Sequence, residues 1–271
     1  MKVLCSTGAL GGKGNLPDCE KLIELYTKIN SDGYELLISS NWKEQSRDWS
    51  LQLKKSQINI PMIHFSKKIG DNFSKCEESN IKMATEIFES NCKVAQMLSV
   101  SKGVLHLWGW PDTNFEKTIR EYLNILEIAK NYNIEILIEL VPCKEMDMLS
   151  KVEALLSLNP KCRFTLDTRF LCYQRLLDEI FEYKRIWENK SVAHIHVSDC
   201  IKDEDGNVLI TPILHPNEGI INFEKFITNL KNKEYNGYIT IESLAWDKEN
   251  NRIDLDKLNS TIEYIKSIWE K

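Results

Sequence analysis

Eight short runs of β-branched and aliphatic residues recur along the chain, separated by stretches that can form amphipathic helices. This alternation limits the available folds more than any other feature. The runs are KVLCS (2–6), YELLIS (34–39), INIPMIHF (58–65), GVLHLWG (103–109), IEILIELV (134–141), RFTLDT (163–168), VAHIHVSD (192–199) and YITIES (238–243). Their near-continuous hydrophobicity suits parallel strands covered on both faces. Segments 19–30, 77–98, 115–132, 145–158 and 255–271 place apolar residues three and four apart with Lys and Glu between them, giving one face to bury and one to solvate. Segment 41–57 has the weakest helical pattern. Right-handed crossovers joining eight such strands close them on themselves. The 271 residues match the roughly 250 that a (β/α)8 barrel needs, so the expectation is one α/β domain over residues 1–271.

An open doubly wound sheet would instead want a glycine-rich phosphate turn after its first strand. TGALGGKGN (7–15) stands there, but Thr7 occupies the place of the first Walker A glycine and Gly14 that of the hydroxyl residue. The Gly12-to-Gly14 pair is followed three residues on by Pro17 instead of a third glycine. A loop over the barrel mouth, with Lys13 reaching an anionic substrate, is the expectation. A formal charge of −5 sets the field of the whole molecule against nucleic-acid partners. The eight cysteines contain no Cys-x-x-Cys pair, which points to reduced, buried thiols. The opening MKVLCSTGALGGKGN lacks the apolar length of a signal peptide, and no apolar run approaches the ~18 residues of a membrane span. A cytoplasmic protein without a membrane partner is expected.

In closed α/β barrels the active site lies at the carboxyl ends of the strands. The polar residues closing these strands are His64, His106, Glu139, Asp167, His196 with Asp199, and Glu242. One strand-end acid alone is commonly a helix cap or a lysine's partner. Several carboxylates buried together cost several kcal/mol in lost hydration and repulsion unless a cation or protons neutralise them. Glu139, Asp167, His196 and Glu242, one from each of the last four strands, form a mostly hard donor set suited to Mn²⁺, Mg²⁺, Co²⁺ or Zn²⁺. His194, two residues before His196, shares its strand face one layer deeper and is expected to be a hydrogen-bonded support.

IEL (138–140), LDT (166–168), HIHVSD (194–199) and TIES (240–243), with DGYELLIS (32–39) and VLHLWGWPDT (104–113), resemble the xylose-isomerase-like TIM-barrel superfamily. That superfamily contains sugar and sugar-phosphate isomerases and epimerases and the metal-dependent AP endonucleases. The resemblance implies one divalent ion on Glu139, Asp167, His196 and Glu242. It also implies that His64 and His106 match a second metal site of the endonuclease branch, or contact substrate. A third site of that branch is not matched: Phe170 stands where it has a histidine, and ILHPNEGIINF (213–223) keeps only His215 and an Asn-Glu-Gly turn.

The expected function is therefore a metal-dependent isomerase or epimerase of a sugar or sugar phosphate. Glu139 and Glu242 would act as base and acid beside a chelated carbonyl. Trp108, Trp110 and Trp246 are candidates to stack on the sugar ring, Arg169 and His215 to contact substrate, and His194 and Asp199 to support the metal ligands. An AP endonuclease and a non-catalytic sugar-binding barrel are the alternatives, and a homo-oligomer is left open.

Overall fold

The computed structural model describes residues 1–11, 16–39, 42, 45–109, 114–142, 144–247 and 249–271. Eight parallel strands close into a barrel: β1 (Lys2–Ser6), β2 (Tyr34–Leu37), β3 (Met62–His64), β4 (Lys102–Leu105), β5 (Glu135–Glu139), β6 (Arg163–Asp167), β7 (Val192–Val197) and, after an antiparallel hairpin of β8 (Asp199–Lys202) and β9 (Val208–Leu214), β10 (Tyr238–Ile241). The order around the barrel is β1-β10-β7-β6-β5-β4-β3-β2, so each of the eight expected runs supplies one stave. A two-stranded ribbon, β11 (Trp246–Asp247) with β12 (Arg252–Ile253), follows. All six residues of β7 are buried, as strand positions covered on both faces must be.

The helices are α1 (Cys19–Tyr26), α2 (Ser46–Lys55), α3 (Lys68–Phe73), α4 (Glu78–Leu98), α5 (Phe115–Asn131), α6 (Met148–Leu158), α7 (Thr168–Tyr173), α8 (Glu179–Glu182), α9 (Lys184–Glu188), α10 (Phe223–Asn232) and α11 (Leu255–Glu270). Side-chain caps set several of their starts: Asp18, Asp147, Asn222 and Asp254 each accept a hydrogen bond from the backbone N–H three residues on. In α10 the stripe Phe223, Phe226, Ile227 and Leu230 is buried, the i, i+3, i+4, i+7 spacing of a single face. The weak pattern over 41–57 yields a helix only from Ser46. Helices α7, α8 and α9, at 6, 4 and 5 residues, are too short to show a 3.6-residue period. After β1, Thr7–Leu10 form a 3₁₀ turn capped by Ser6, while Gly12–Asn15, including Lys13, lie outside the described residues.

Two compact units make up the chain: Met1–Glu35 with Leu166–Lys271, and Leu36–Thr165. In the first, β10 lies between β1 and β7, with Leu4 beside Thr240 and Thr240 beside His196. In the second, β4 lies between β3 and β5, with His64 beside Val104 and Leu105 beside Ile138. Among the described residues, no helix is long and apolar enough to cross a membrane.

Candidate active site

In the first unit the strand ends bring together Glu35, His194, His196, Thr240 and Glu242. His194 Nε2 lies 2.6 Å from Glu35 Oε2 and His196 Nε2 2.9 Å from Glu35 Oε1, and Thr240 Oγ1 donates to Glu35 Oε2 at 2.8 Å. Glu35, His194, His196 and Thr240 are all fully buried. Burial by itself would raise the Glu35 carboxyl, but the two imidazoles and their hydrogen bonds hold it well below the usual carboxylate range. The dominant effect on His194 is burial, which lowers its basicity. The cluster is thus an ionised carboxylate receiving donors from a neutral His194, from His196 and from Thr240. On its other side His196 turns Nδ1 toward Glu242 Oε2, 3.6 Å away. Glu242 retains slight exposure and also accepts from Ser6 Oγ at 3.4 Å.

Asp167, at the end of β6, is fully buried, and its Oδ1 accepts from the backbone N–H of Arg169 at 2.8 Å and Phe170 at 3.0 Å. It therefore caps α7 whatever else it does.

In the second unit His64, His106 and Glu139 converge. His106 Nε2 makes a short hydrogen bond with Glu139 Oε2, and His64 Nε2 lies 3.2 Å from the same oxygen. Nδ1 of His64 faces the Phe65 carbonyl at 2.7 Å. A carbonyl can only accept, so Nδ1 carries a proton, and Nε2 is turned toward the Glu139 carboxylate. Burial lowers the His106 imidazole, against the pull of Glu139. The ligand atoms of this trio lie within 4.8 Å of one another, as do those of Glu35, His194 and His196.

Four expected site residues are engaged elsewhere. Asp199 accepts from the backbone N–H of Gly219, Ile221 and Cys200 at 2.9, 3.0 and 2.8 Å, so it anchors a turn. Arg169 donates to Ser198 Oγ and to the Ile210 carbonyl, tying α7 to β9. His215 has Nδ1 on Thr261 Oγ1 at 2.7 Å and Nε2 on the Leu244 carbonyl at 3.1 Å, which occupies both ring nitrogens. Trp108 is fully buried, with the Lys151 ammonium 4.4 Å from its ring centre and Phe115 edge-on to it, so its ring is packed in the interior. Trp246 stays half-exposed on β11, and Trp110 lies outside the described residues.

The model of the xylose isomerase-like TIM barrel matches residues 23–266. The chain belongs to the xylose isomerase-like TIM barrel family. No curated protein is similar enough in sequence to count as a relative. Among solved structures, this family member is similar to a D-allulose 3-epimerase from Methylomonas sp. in complex with D-allulose (16% identity, TM-score 0.73, covering 98% of this chain and 96% of that one). It is likewise similar to the D-psicose 3-epimerase with D-tagatose from Clostridium cellulolyticum H10 (15%, 0.71, 99% and 99%). A third similar structure is the apo 3-keto-D-glucoside 4-epimerase of E. coli (11%, 0.70, 98% and 99%). Identities this low carry the fold. Within this xylose isomerase-like barrel the sequence reading missed Glu35, hidden as the lone acid in YELLIS. The available signal was physical: an acid inside an apolar strand must meet donors or stay unfolded.

Proposed function

We propose that the protein is a divalent-metal-dependent isomerase or epimerase of a sugar or sugar phosphate, with Glu139, Asp167, His196 and Glu242 as ligands. The observation that carries this is His196. Its Nε2 faces Glu35, and its Nδ1 is turned toward Glu242 Oε2, 3.6 Å away. An imidazole nitrogen and a carboxylate oxygen at that separation, longer than a hydrogen bond, are a pair that a divalent cation can share. Glu139, Asp167, His196 and Glu242 each stand at the carboxyl end of a barrel strand, where closed α/β barrels carry their active sites. Their oxygens and imidazole nitrogen suit Mn²⁺, Mg²⁺, Co²⁺ or Zn²⁺. When bound, such an ion stabilises the negative charge that develops on a sugar carbonyl as the neighbouring C–H proton leaves.

The residues then divide the work. Glu139 and Glu242 take and return the proton, as base and acid. The short hydrogen bond from His106 steadies the Glu139 carboxylate. Ser6 does the same for Glu242. Trp246 offers the sugar a half-exposed aromatic face. The solved epimerases of the same fold, one bound to D-allulose and one to D-tagatose, favour free ketohexoses as first substrates to try. The protein is proposed to act in the cytoplasm.

With Mn²⁺ and D-allulose, D-tagatose or D-fructose in D₂O, the protein is expected to introduce deuterium at a carbon next to the carbonyl, and Glu242→Gln to abolish this while still folding. Undiminished exchange in that variant would overturn the catalytic assignment. Stabilisation by sugar without any exchange in the wild type would identify a binding barrel.

A second reading follows from His64, His106 and Glu139, whose ligand atoms lie within 4.8 Å of one another and offer a second cation a place. Two-ion cleavage of a phosphodiester, as in AP endonucleases, is the chemistry such a pair supports. The net charge of −5 and the engagement of His215 argue against it. Metal-dependent incision of an abasic duplex at low salt would establish it, and intact duplex would remove it.

A further inference from the structure

Glu35 is a fully buried carboxylate near the strand ends, and the reaction as described gives it no role. Its carboxylate is fully buried and meets His194 Nε2 at 2.6 Å, His196 Nε2 at 2.9 Å and Thr240 Oγ1 at 2.8 Å. A carboxylate accepts only, so each of these three groups must present a hydrogen to it. For His196 this places a proton on Nε2, and the ring turns its other nitrogen, Nδ1, toward Glu242. For His194 it leaves Nδ1, which has no hydrogen-bond partner, as a bare buried lone pair, the form a neutral ring with Nε2–H takes. Thr240 holds the arrangement from the neighbouring strand, since it stands beside His196 in the β7–β10 ladder and also lies 3.0 Å from His194 Nε2.

We propose that Glu35 is a positioning residue: by holding His196 Nε2–H it presents Nδ1, in a fixed ring orientation, as the atom that binds the divalent ion. This rests on the metal-dependent reading above. It differs from a structural role because it specifies which nitrogen of His196 carries the proton and which carries the metal. Metal-bound imidazoles gain both orientation and basicity when their second nitrogen donates to a carboxylate. His194 and Thr240 share the task by fixing the Glu35 carboxylate in place.

A rival arrangement has Glu35, His194 and His196 themselves gripping an ion. The distances oppose it. Ligand atoms about 2.0–2.1 Å from a tetrahedral ion stand about 3.3 Å apart. The 2.6 Å contact between His194 Nε2 and Glu35 Oε2 is that of a hydrogen bond.

The experiment uses the full chain labelled with ¹⁵N-histidine, first stripped of metal and then titrated with Zn²⁺. Ring resonances are assigned from His194→Gln and His196→Gln. Metal-free wild type is expected to show Nε2–H and a bare Nδ1 at His196, and Zn²⁺ to move the Nδ1 resonance. Glu35→Gln places an amide donor against the imidazoles and is expected to shift His196 toward the Nδ1–H form and to weaken Zn²⁺ binding about 10–100-fold. The wild-type spectra decide the matter even where Glu35→Gln does not fold. His196 protonated at Nδ1, Zn²⁺ bound through Nε2, or unchanged affinity in a folded Glu35→Gln would each overturn the assignment of Glu35. Nε2–H at His196 with no response to Zn²⁺ would instead overturn the metal-dependent reading, and with it the ligand half of this proposal.

Discussion

His215, a candidate substrate contact, shows at residue scale how burial sets the charge of an imidazole. Burial lowers its basicity, outweighing the help of the Leu244 carbonyl. The folded ring is therefore neutral at a pH where the unfolded ring, titrating near about 6.5, takes up a proton. A lowered folded-state value means stability present above that pH and lost as the pH falls below it. The slope is at most about 1.4 kcal/mol per pH unit for one group. His106 and His194, lowered in the same direction by burial, add to the slope in the same window, and Glu35 adds to it only lower, once the pH falls below about 4.3. Urea unfolding from about pH 8 to about pH 5 is expected to show falling stability in wild type and a shallower fall in His215→Gln. Equal slopes in the two proteins would refute the account. The sequence could place these residues at strand ends but not say whom they meet. Arg169, Asp199 and His215 were indistinguishable from site residues until the β9 carbonyl, the 219–221 turn and Thr261 were seen to engage them. Glu35 went unnoticed for the converse reason: its partners, His194, His196 and Thr240, lie more than 150 residues away in the chain.

Elements were readable where burial imposes a period and unreadable where a turn or a single contact decides. All eight staves showed as apolar runs, and the long helices α4, α5 and α11 as amphipathic stretches. The β8–β9 hairpin did not, because β8 is only four residues long with Asp199 and Lys202 at its ends, while β9, though apolar, is interrupted by Pro212 and only partly buried. Its one local signal is Asp205-Gly206, with Gly206 at φ +83° in the left-handed region. The far end of this hairpin depends on Gly219, where a Cβ would lie 2.1 Å from the Cys200 carbonyl oxygen and 2.5 Å from Asp199 Oδ1. Backbone cannot yield as a flexible side chain does. Gly219→Ala is thus expected to cost about 2 kcal/mol or more through overpacking and loss of the Asp199 anchor. Gly206→Asn, at an open position where asparagine tolerates positive φ, is expected to change stability by less than about 1 kcal/mol. Chemical denaturation of both variants checks the contrast, and similar losses in the two would show that the close approach at Gly219 is unimportant.

For the whole molecule the closed strand order has a thermodynamic consequence. The boundary between the two compact units falls between Glu35 and Leu36 and between Thr165 and Leu166, inside β2 and inside β6. Each of those strands therefore begins in one unit and finishes in the other. Unfolding either unit alone would end a strand part-way along its own main chain, so a cooperative loss of both is the expected course. We propose that residues 1–271 behave as one domain that unfolds in a single step. The tryptophans make this measurable: Trp42, Trp49 and Trp108 lie in Leu36–Thr165, and Trp187, Trp246 and Trp269 in the other unit. A variant carrying Trp187→Phe, Trp246→Phe and Trp269→Phe emits only from Leu36–Thr165. Its fluorescence transition in urea is expected to coincide with its far-ultraviolet circular dichroism transition, which reports helices of both units. A fluorescence midpoint displaced from the dichroism midpoint would mean that one unit survives the loss of the other, and the single-domain assignment would give way to two separately stable halves.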